Sequence, residues 1–307
     1  MKFAEIAEFF ERMEVTSKRL ELTEILVELL KNTPIDVISK VTYLIQGKLR
    51  PNFEGVELGI AERLAMKAIS KSAGVSMKKI EDSYKVGGDL GVTAANILKQ
   101  KTQTTFSAES ITLERVYDTL FKIAKLEGKG SQDMKIKYIS SLLNDATTNE
   151  SKFILKILLG TLRLGIAENT LMDALAIAFT DEKSNRVLIE NAYNVSSDLG
   201  YVSEVVAKQG INGIKKFEIA IFNPIRPMLA DRVKSEEDAI KKFQDEFAAE
   251  YKLDGERAQI HKKGNEIIIF SRSLEKITQY YPDIIEKIRI FKTNYHVIKR
   301  RVQGAVS

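Results

Sequence analysis

The chain has 307 residues, 44% of them hydrophobic and 29% charged, with a formal net charge of +5. That length suggests about two domains, and the composition excludes a disordered chain. The absence of cysteine and the presence of only two histidines exclude disulfides and thiolate metal sites and argue against a histidine-based zinc site.

No apolar run approaches the roughly 18 residues that a membrane span needs. The first residues, "MKFAEIAEFFERME", carry acids on an amphipathic pattern and do not read as a signal peptide. A cytoplasmic or nucleoid-associated, non-secreted protein is the expectation. The basic balance allows a polyanionic partner without establishing one.

From residue 1 to about 206 the pattern is helical. "SKRLELTEILVELLKN" (17–32) and "ESKFILKILLGTLR" (150–163) place apolar residues at i, i+3, i+4 and i+7. Two motifs recur. "LGIAE" stands at 58–62 and at 164–168, an offset of 106; "DLGVTAANILKQ" (89–100) and "DLGYVSEVVAKQ" (198–209) are offset by 109. Two matches in the same order at nearly equal offsets predict a duplicated helical unit, with halves at about 1–105 and 106–214. Helix starts and packing loops account for most of these motif residues. Their glycines also let a backbone approach a phosphate, with first-turn N–H groups as donors.

Three loops combine glycine with lysine or arginine: "QGKLRPNFEG" (46–55), "EGKGSQDMKIK" (127–137) and "TLRLGIAEN" (161–169). Contact with a phosphate backbone and a plain solvated loop both fit them. Phe53 is the one aromatic residue among them, so single-strand stacking is not indicated.

Near residue 215 the pattern shifts. "KKFEIAIFNPI" (215–225) is β-like, punctuated by Pro224 and Pro227, and "ERAQIH" with "EIIIF" predicts a hairpin closed by Lys262, Lys263, Gly264 and Asn265. If 248–254 is a strand, Glu250, Lys252 and Asp254 share one face, and Arg257 follows the Asp254-Gly255 turn. A desolvated lysine near a cation has more neutral amine and can attack an electrophilic phosphorus. Arg257 and Arg272 can supply that charge. A lysine beside an Asp-Gly turn is also a common exposed strand end; the longer pattern Lys-x-Asp-Gly-x-Arg, with Glu250 before it and Ser271-Arg272 after, is more specific.

With these residues in hand, the chain resembles the N-terminal part of an ATP-dependent DNA ligase of the archaeal and eukaryotic replicative type. Lys252–Arg257 is similar to that family's nucleotidyl-transfer signature, "NPIRPMLA" (223–230) to the entry of its adenylation domain, and "FSRSLEKITQYYPDI" (270–284) to the segment that follows. "LRLGIAEN", "GKGSQ" and "GKLRPNFEGVELGIAE" resemble its helical DNA-binding domain. The resemblance runs from near residue 1 to about residue 288.

It implies a multidomain α and α+β protein: an all-α, duplicated helical DNA-binding domain at 1–214, then an incomplete adenylation (nucleotidyltransferase) domain with antiparallel strands at 215–307. It further implies ATP and Mg2+ as cofactors, nicked double-stranded DNA as substrate in replication, repair and recombination, a sliding clamp as a candidate partner, and a monomer. Lys252 would take AMP from ATP, pass it to the 5′-phosphate of a nick, and the 3′-hydroxyl would displace it. Glu250 would lie at the adenine, Arg257 at the ribose and Arg272 at a phosphate. Lys129, Ser131, Lys135, Arg163, Gly165 and Ala167 would contact DNA.

The chain also departs from the family. The metal-associated acidic motif, the later adenylate-binding motifs, the late lysine pair and the oligonucleotide-binding domain are not found in it. "VQGAVS" resembles the acidic motif weakly, with Ala305 where a glutamate would fall. From Lys287 onward there are six Lys or Arg and no Asp or Glu. A frameshift, a truncation or a fragment would each explain this, and the expectation is that the polypeptide alone is inactive or nearly so. Competing readings are another covalent nucleotidyltransferase (RNA ligase or mRNA-capping type) and a non-catalytic duplex DNA-binding module.

Overall fold

The computed structural model describes residues 1–99, 111–228, 232–243 and 255–290, and the backbone of a strand at 295–302. Two compact units result: residues 1–51, 55–193 and 198–217 form the first, and 52–54, 194–197 and 218–307 the second.

The first unit is all-α, and its helices fall into two sets with the same order. One set is α1 (Phe3–Glu14), α2 (Arg19–Asn32), α3 (Ile38–Ile45), α4 (Glu62–Ala73), α5 (Met77–Gly87) and α6 (Leu90–Lys99). The other is α7 (Leu113–Lys125), α8 (Ser131–Asp145), α9 (Thr148–Leu158), α10 (Glu168–Thr180), α11 (Arg186–Ser196) and α12 (Leu199–Ile214). The apolar spacing read in α2 and α9 is the buried stripe: Leu22, Ile25, Leu26, Leu29 and Leu30 on one, Phe153, Ile154, Ile157 and Leu158 on the other.

The sets exchange partners. α4 packs on α8 and α10 on α2; α6 packs on α9 and α12 on α3. Each late helix thus buries its apolar face against an early helix of the other set, giving one shared core. Even the starts of the sets pair, with Lys2 bridged antiparallel to Thr112 and the Phe3 N–H donating to Ile111 O at 2.9 Å.

The repeated motifs do the same mechanical work twice. Gly59 and Gly165 adopt φ +50° and +69°, a region that favours glycine. Two residues on, Ala61 and Ala167 flank the starts of α4 and α10. Glu62 and Glu168 then each accept a tyrosine hydroxyl at 2.7 Å, from Tyr84 and Tyr193. Asp89 and Asp198 accept the amides of Val92 and Tyr201, both at 2.9 Å, at the starts of α6 and α12.

The second unit holds α13 (Glu236–Phe243), β1 (Glu256–Lys263), β2 (Glu266–Phe270), α14 (Pro282–Arg289) and β3 (Tyr295–Val302). The sheet is antiparallel in the order β2-β1-β3. Ala258, Ile260, Ile267 and Ile269 pack with Ile288 of α14.

Two expectations are corrected here. The hairpin turn is tighter than read: Lys262 and Lys263 belong to β1, and Gly264 (φ +59°) with Asn265 makes a two-residue turn. Residues 215–225 form no strand. Phe222 sits at φ +70°, and the segment satisfies backbone groups through side chains. The Ile225 N–H donates to Gln259 Oε1 at 2.7 Å, the Gln259 amide donates to Ile225 O at 3.1 Å, and the Phe222 N–H donates to His261 Nδ1 at 2.9 Å. That bond puts the His261 proton on Nε2, which faces Gln259 Oε1 at 3.1 Å. Burial lowers the His261 pKa to about 4.

Candidate active site and nucleic-acid interface

In the second unit, β1 and the turn after β2 bring two arginines to one cavity. The β1–β2 ladder ends at Gln259 and Phe270; Arg257 lies two residues before that end on β1, and Arg272 lies in the turn that follows β2. The turn is tied by the Ser271 N–H to Glu275 O (2.9 Å), the Leu274 N–H to Ser271 O (3.1 Å) and the Glu275 N–H to Ser271 Oγ (3.2 Å). Leu274 is held at φ +69°. This fixes Arg272 at the tip of the turn.

The cavity is about 550 Å³ and is lined by Gly255, Glu256, Arg257, Ser271, Arg272 and Ser273. Two guanidinium groups and two hydroxyls make a donor-rich wall suited to phosphate or ribose oxygens. Like charges at one cavity are best tolerated with an anion between them. Glu256, the carboxylate in that lining, accepts the hydroxyl of Tyr281. Glu250, Lys252, Asp254 and Ala305 lie outside the described residues.

No group of three or more His, Cys, Asp or Glu that could hold a metal occurs among the described residues.

In the first unit, the six residues read as DNA contacts fall into two groups. Lys129 is exposed just before α8; Ser131 opens that helix, and Lys135 is half-buried one turn on. Arg163, Gly165 and Ala167 are exposed in the loop before α10. Among the described residues, no hydrogen bond or ion pair joins the two groups. Nor do Lys129, Lys135 and Arg163 make an ion pair there, whereas Arg12, Arg115, Lys152 and Lys156 all do. Cations without carboxylate partners keep their charge available to a polyanion. Phe53 is buried, so the loop that carries it offers no exposed ring for base stacking.

The motif carboxylates do something else. Glu62 and Glu168 are engaged by tyrosines, which latch each "LGIAE" loop from behind. The sequence signal for this was available, since Tyr84 and Tyr193 recur at an offset of 109. No helical period or capping rule connects a glutamate to a tyrosine 22 or 25 residues later.

No described helix is long and apolar enough to cross a membrane. Residues 2–176 match the family profile described as DNA ligase N terminus, and residues 227–298 match that of the ATP dependent DNA ligase domain. The chain is 68% identical over 288 residues to the DNA ligase of Nitrosopumilus maritimus (strain SCM1), covering 94% of this chain and 49% of that protein. It is 62% identical over 288 residues to the DNA ligase of Cenarchaeum symbiosum (strain A), with the same coverage. To the probable DNA ligase of Aquifex aeolicus (strain VF5) it is 43% identical over 290 residues, 94% of this chain and 49% of that one. The chain spans about half the length of the curated relatives it matches. With the N-terminal profile covering more than half of its residues, the chain belongs to the ATP-dependent DNA ligases of archaeal and eukaryotic type, carrying the family's N-terminal domain and the start of its adenylation domain.

Proposed function

We propose that this chain serves nick sealing in duplex DNA, with Lys252 as the adenylate acceptor. The observation that carries the reading is the cavity where Arg257, Arg272, Ser271 and Ser273 converge, whose lining begins at Gly255, three residues along the chain from Lys252. In this reading the neutral Lys252 Nζ attacks the α-phosphorus of ATP. A P–N bond forms, the bond to pyrophosphate breaks, and the amine gives up its proton to solvent. AMP then moves to the 5′-phosphate of a nick, and the 3′-hydroxyl displaces it.

Arg257 is assigned to the ribose and Arg272 to a phosphate, where fixed donors contribute by positioning; Glu250 is assigned to the adenine. Mg2+ belongs to the reading as the family's ion, and no step above is routed through it. Lys129, Ser131, Lys135, Arg163, Gly165 and Ala167 are assigned to the duplex, where lysine and arginine supply salt-dependent affinity. A monomer, a cytoplasmic or nucleoid location and a sliding clamp as partner go with the same reading.

Because the relatives are about twice as long, the test uses a chain with both halves. Residues 1–288 are joined to the remaining half of the Nitrosopumilus maritimus relative and incubated with α-labelled ATP, then with nicked duplex. Covalent label and sealing, both lost in Lys252→Ala, are expected; label that persists in Lys252→Ala would sink the assignment. Residues 1–307 alone form the comparison arm, and little or no label is expected of them.

A further inference from the structure

β1 has two unlike faces. Ala258 and Ile260 turn to the apolar cluster that includes Ile288 of α14. Arg257, Gln259 and His261 alternate with them on the opposite face. Arg257 lines the cavity, while Gln259 and His261 are 5% and 0% exposed. Two polar side chains buried side by side are costly unless they are hydrogen-bonded. These two spend their bonds on one backbone segment. Gln259 takes both the N–H and the C=O of Ile225, as a neighbouring strand would, and His261 Nδ1 takes the N–H of Phe222. The segment therefore runs antiparallel to β1, from His261 toward the Arg257 end. The β1–β2 ladder stops at Gln259, so this clamp supports β1 at the point where β2 leaves it.

The segment is also held from a second side. The loop 194–197 falls in the same unit; Asn194 O accepts the Arg226 N–H at 2.8 Å, and the Ser197 hydroxyl donates to Pro224 O. Ser197 is 5% exposed and sits at φ +54°. At the matching place in the first helix set, just before the other Asp-Leu-Gly, stands Gly88 at φ +67°. A Cβ on Gly88 would meet nothing within 4 Å. The same turn is thus made without strain in one half and with a left-handed serine in the other, where its hydroxyl finds a partner. Phe222, also left-handed at φ +70°, is the second strained residue at the clamp. Strain of this kind persists only where the surroundings over-determine it, and it clusters at functional sites.

We propose that Gln259, His261 and Ser197 are positioning residues for nucleotidyl transfer: they clamp residues 222–226 along the face of β1 that carries Arg257 and so fix the wall against which ATP is placed. The inference rests on the adenylation reading above and deepens it. None of the three is in the lining of the cavity, so each acts through Arg257. Misplacement of such a wall by about 1 Å is enough to cost roughly 100-fold in rate.

The test begins with amide hydrogen exchange on the 307-residue chain. The Phe222 and Ile225 amides should be protected, and protection should be lost in His261→Leu and Gln259→Leu; free exchange in the unsubstituted chain overturns the clamp. Kinetics are then read on the joined full-length chain described above, as the rate of covalent label from α-labelled ATP at rising ATP concentration. Gln259→Leu and His261→Leu should lower the labelling rate at saturating ATP by about 10–100-fold. His261→Asn, which returns an acceptor to the Phe222 N–H, should recover most of it. Ser197→Gly separates positioning from stability, since it relieves the left-handed strain while removing the bond to Pro224. It should unfold at the parental temperature or above, by circular dichroism, and still label more slowly. Parental labelling rates in the folded variants overturn the proposal. So does slow labelling that returns to the parental rate when the assay is cooled below a variant's lowered unfolding temperature, because the residues then serve stability alone. Failure of the unsubstituted joined chain to label would instead strike the adenylation reading itself.

Discussion

Asp89 and Asp198 stand at matching places, each in an Asp-Leu-Gly that starts a helix, yet they are held in opposite ways. Asp89 faces Lys156, with Nζ 3.1 Å from Oδ2, and the same ammonium lies 2.6 Å from Glu14 Oε1. Asp198 faces Tyr43, whose hydroxyl donates at 2.7 Å. Lys156 and Tyr43 are themselves matching positions, each four residues before a glycine at φ +66°, Gly160 and Gly47. One architectural joint is thus made once with charge and once with an aromatic ring.

The electrostatics follow. Burial pushes both carboxyls up. At Asp89 the Val92 amide and the Lys156 ammonium outweigh it and hold the pKa below the ordinary 3.8. At Asp198 burial prevails over the Tyr201 amide and the Tyr43 hydroxyl, and the pKa stands above 3.8. Burial also lowers Lys156, but its bonds to Glu14 and Asp89 prevail and raise it. Burial and the facing Asp198 raise Tyr43. A conserved backbone task therefore tolerates quite different side-chain chemistry, provided each buried polar atom finds a partner.

The comparison breaks most sharply at Lys156. Lys156→Met leaves Asp89 without its ammonium and Glu14 with Lys152 alone. The side chains involved are only 10–32% exposed, so a loss of about 3 kcal/mol is expected, read by chemical denaturation followed by circular dichroism. Next come the glycines of the two joints. A Cβ on Gly200 would collide with the Tyr43 ring, and one on Gly91 would stand 2.7 Å from Lys152 O. Gly200→Ala and Gly91→Ala should each cost about 1–3 kcal/mol by overpacking; a cost near zero at either would show that its joint is loose.

The latches behind the "LGIAE" loops give a smaller contrast. Tyr193 is 4% exposed, and its bond to Glu168 is part-buried while that of Tyr84 to Glu62 is exposed. Tyr193→Phe should cost about 1 kcal/mol and Tyr84→Phe a few tenths in the same denaturation series.

The smallest effect is a difference of sign with pH. For Asp89 the folded pKa is lowered, so its contribution is present above 3.8 and is lost as pH falls toward the folded value. For Asp198 the folded pKa is raised, so folding loses stability as pH rises from 3.8 through the folded value. Relative to the parent chain, Asp89→Asn should lose ground as pH rises through the carboxylate range and Asp198→Asn should gain it. Denaturation midpoints between about pH 3 and 7 read both, and parallel profiles would refute the contrast.

The helical character of residues 1–206 was legible because apolar spacing survives any partner choice: Leu22, Leu26 and Leu29 bury the same stripe whichever helix covers it. The hairpin was legible from its alternation and Gly264. The length of its turn was not, because Lys262 and Lys263 look like loop residues until Lys262 is seen reaching Arg289 O at 3.3 Å. The stretch 215–225 failed as a strand for a related reason. Its β-like composition says nothing about a neighbouring edge, and its backbone found Gln259 and His261 instead. At the cavity, Arg257 and Arg272 were readable as candidates from the pattern around Lys252. The clamp that Ser197, Gln259 and His261 make on residues 222–226 was not, since its parts lie far apart along the chain.

By itself, the sequence determined which segments are helices, that "LGIAE" and "DLG" recur, and which family signature surrounds Lys252. These rest on local period, capping chemistry and short spacing, all of which act within a few residues. Only the tertiary structure decided that each set of helices packs on the other. Amphipathic faces are interchangeable in sequence, and the choice between them lies in how side chains interlock, as where Gly200 admits Tyr43 and Gly91 admits the α9 backbone.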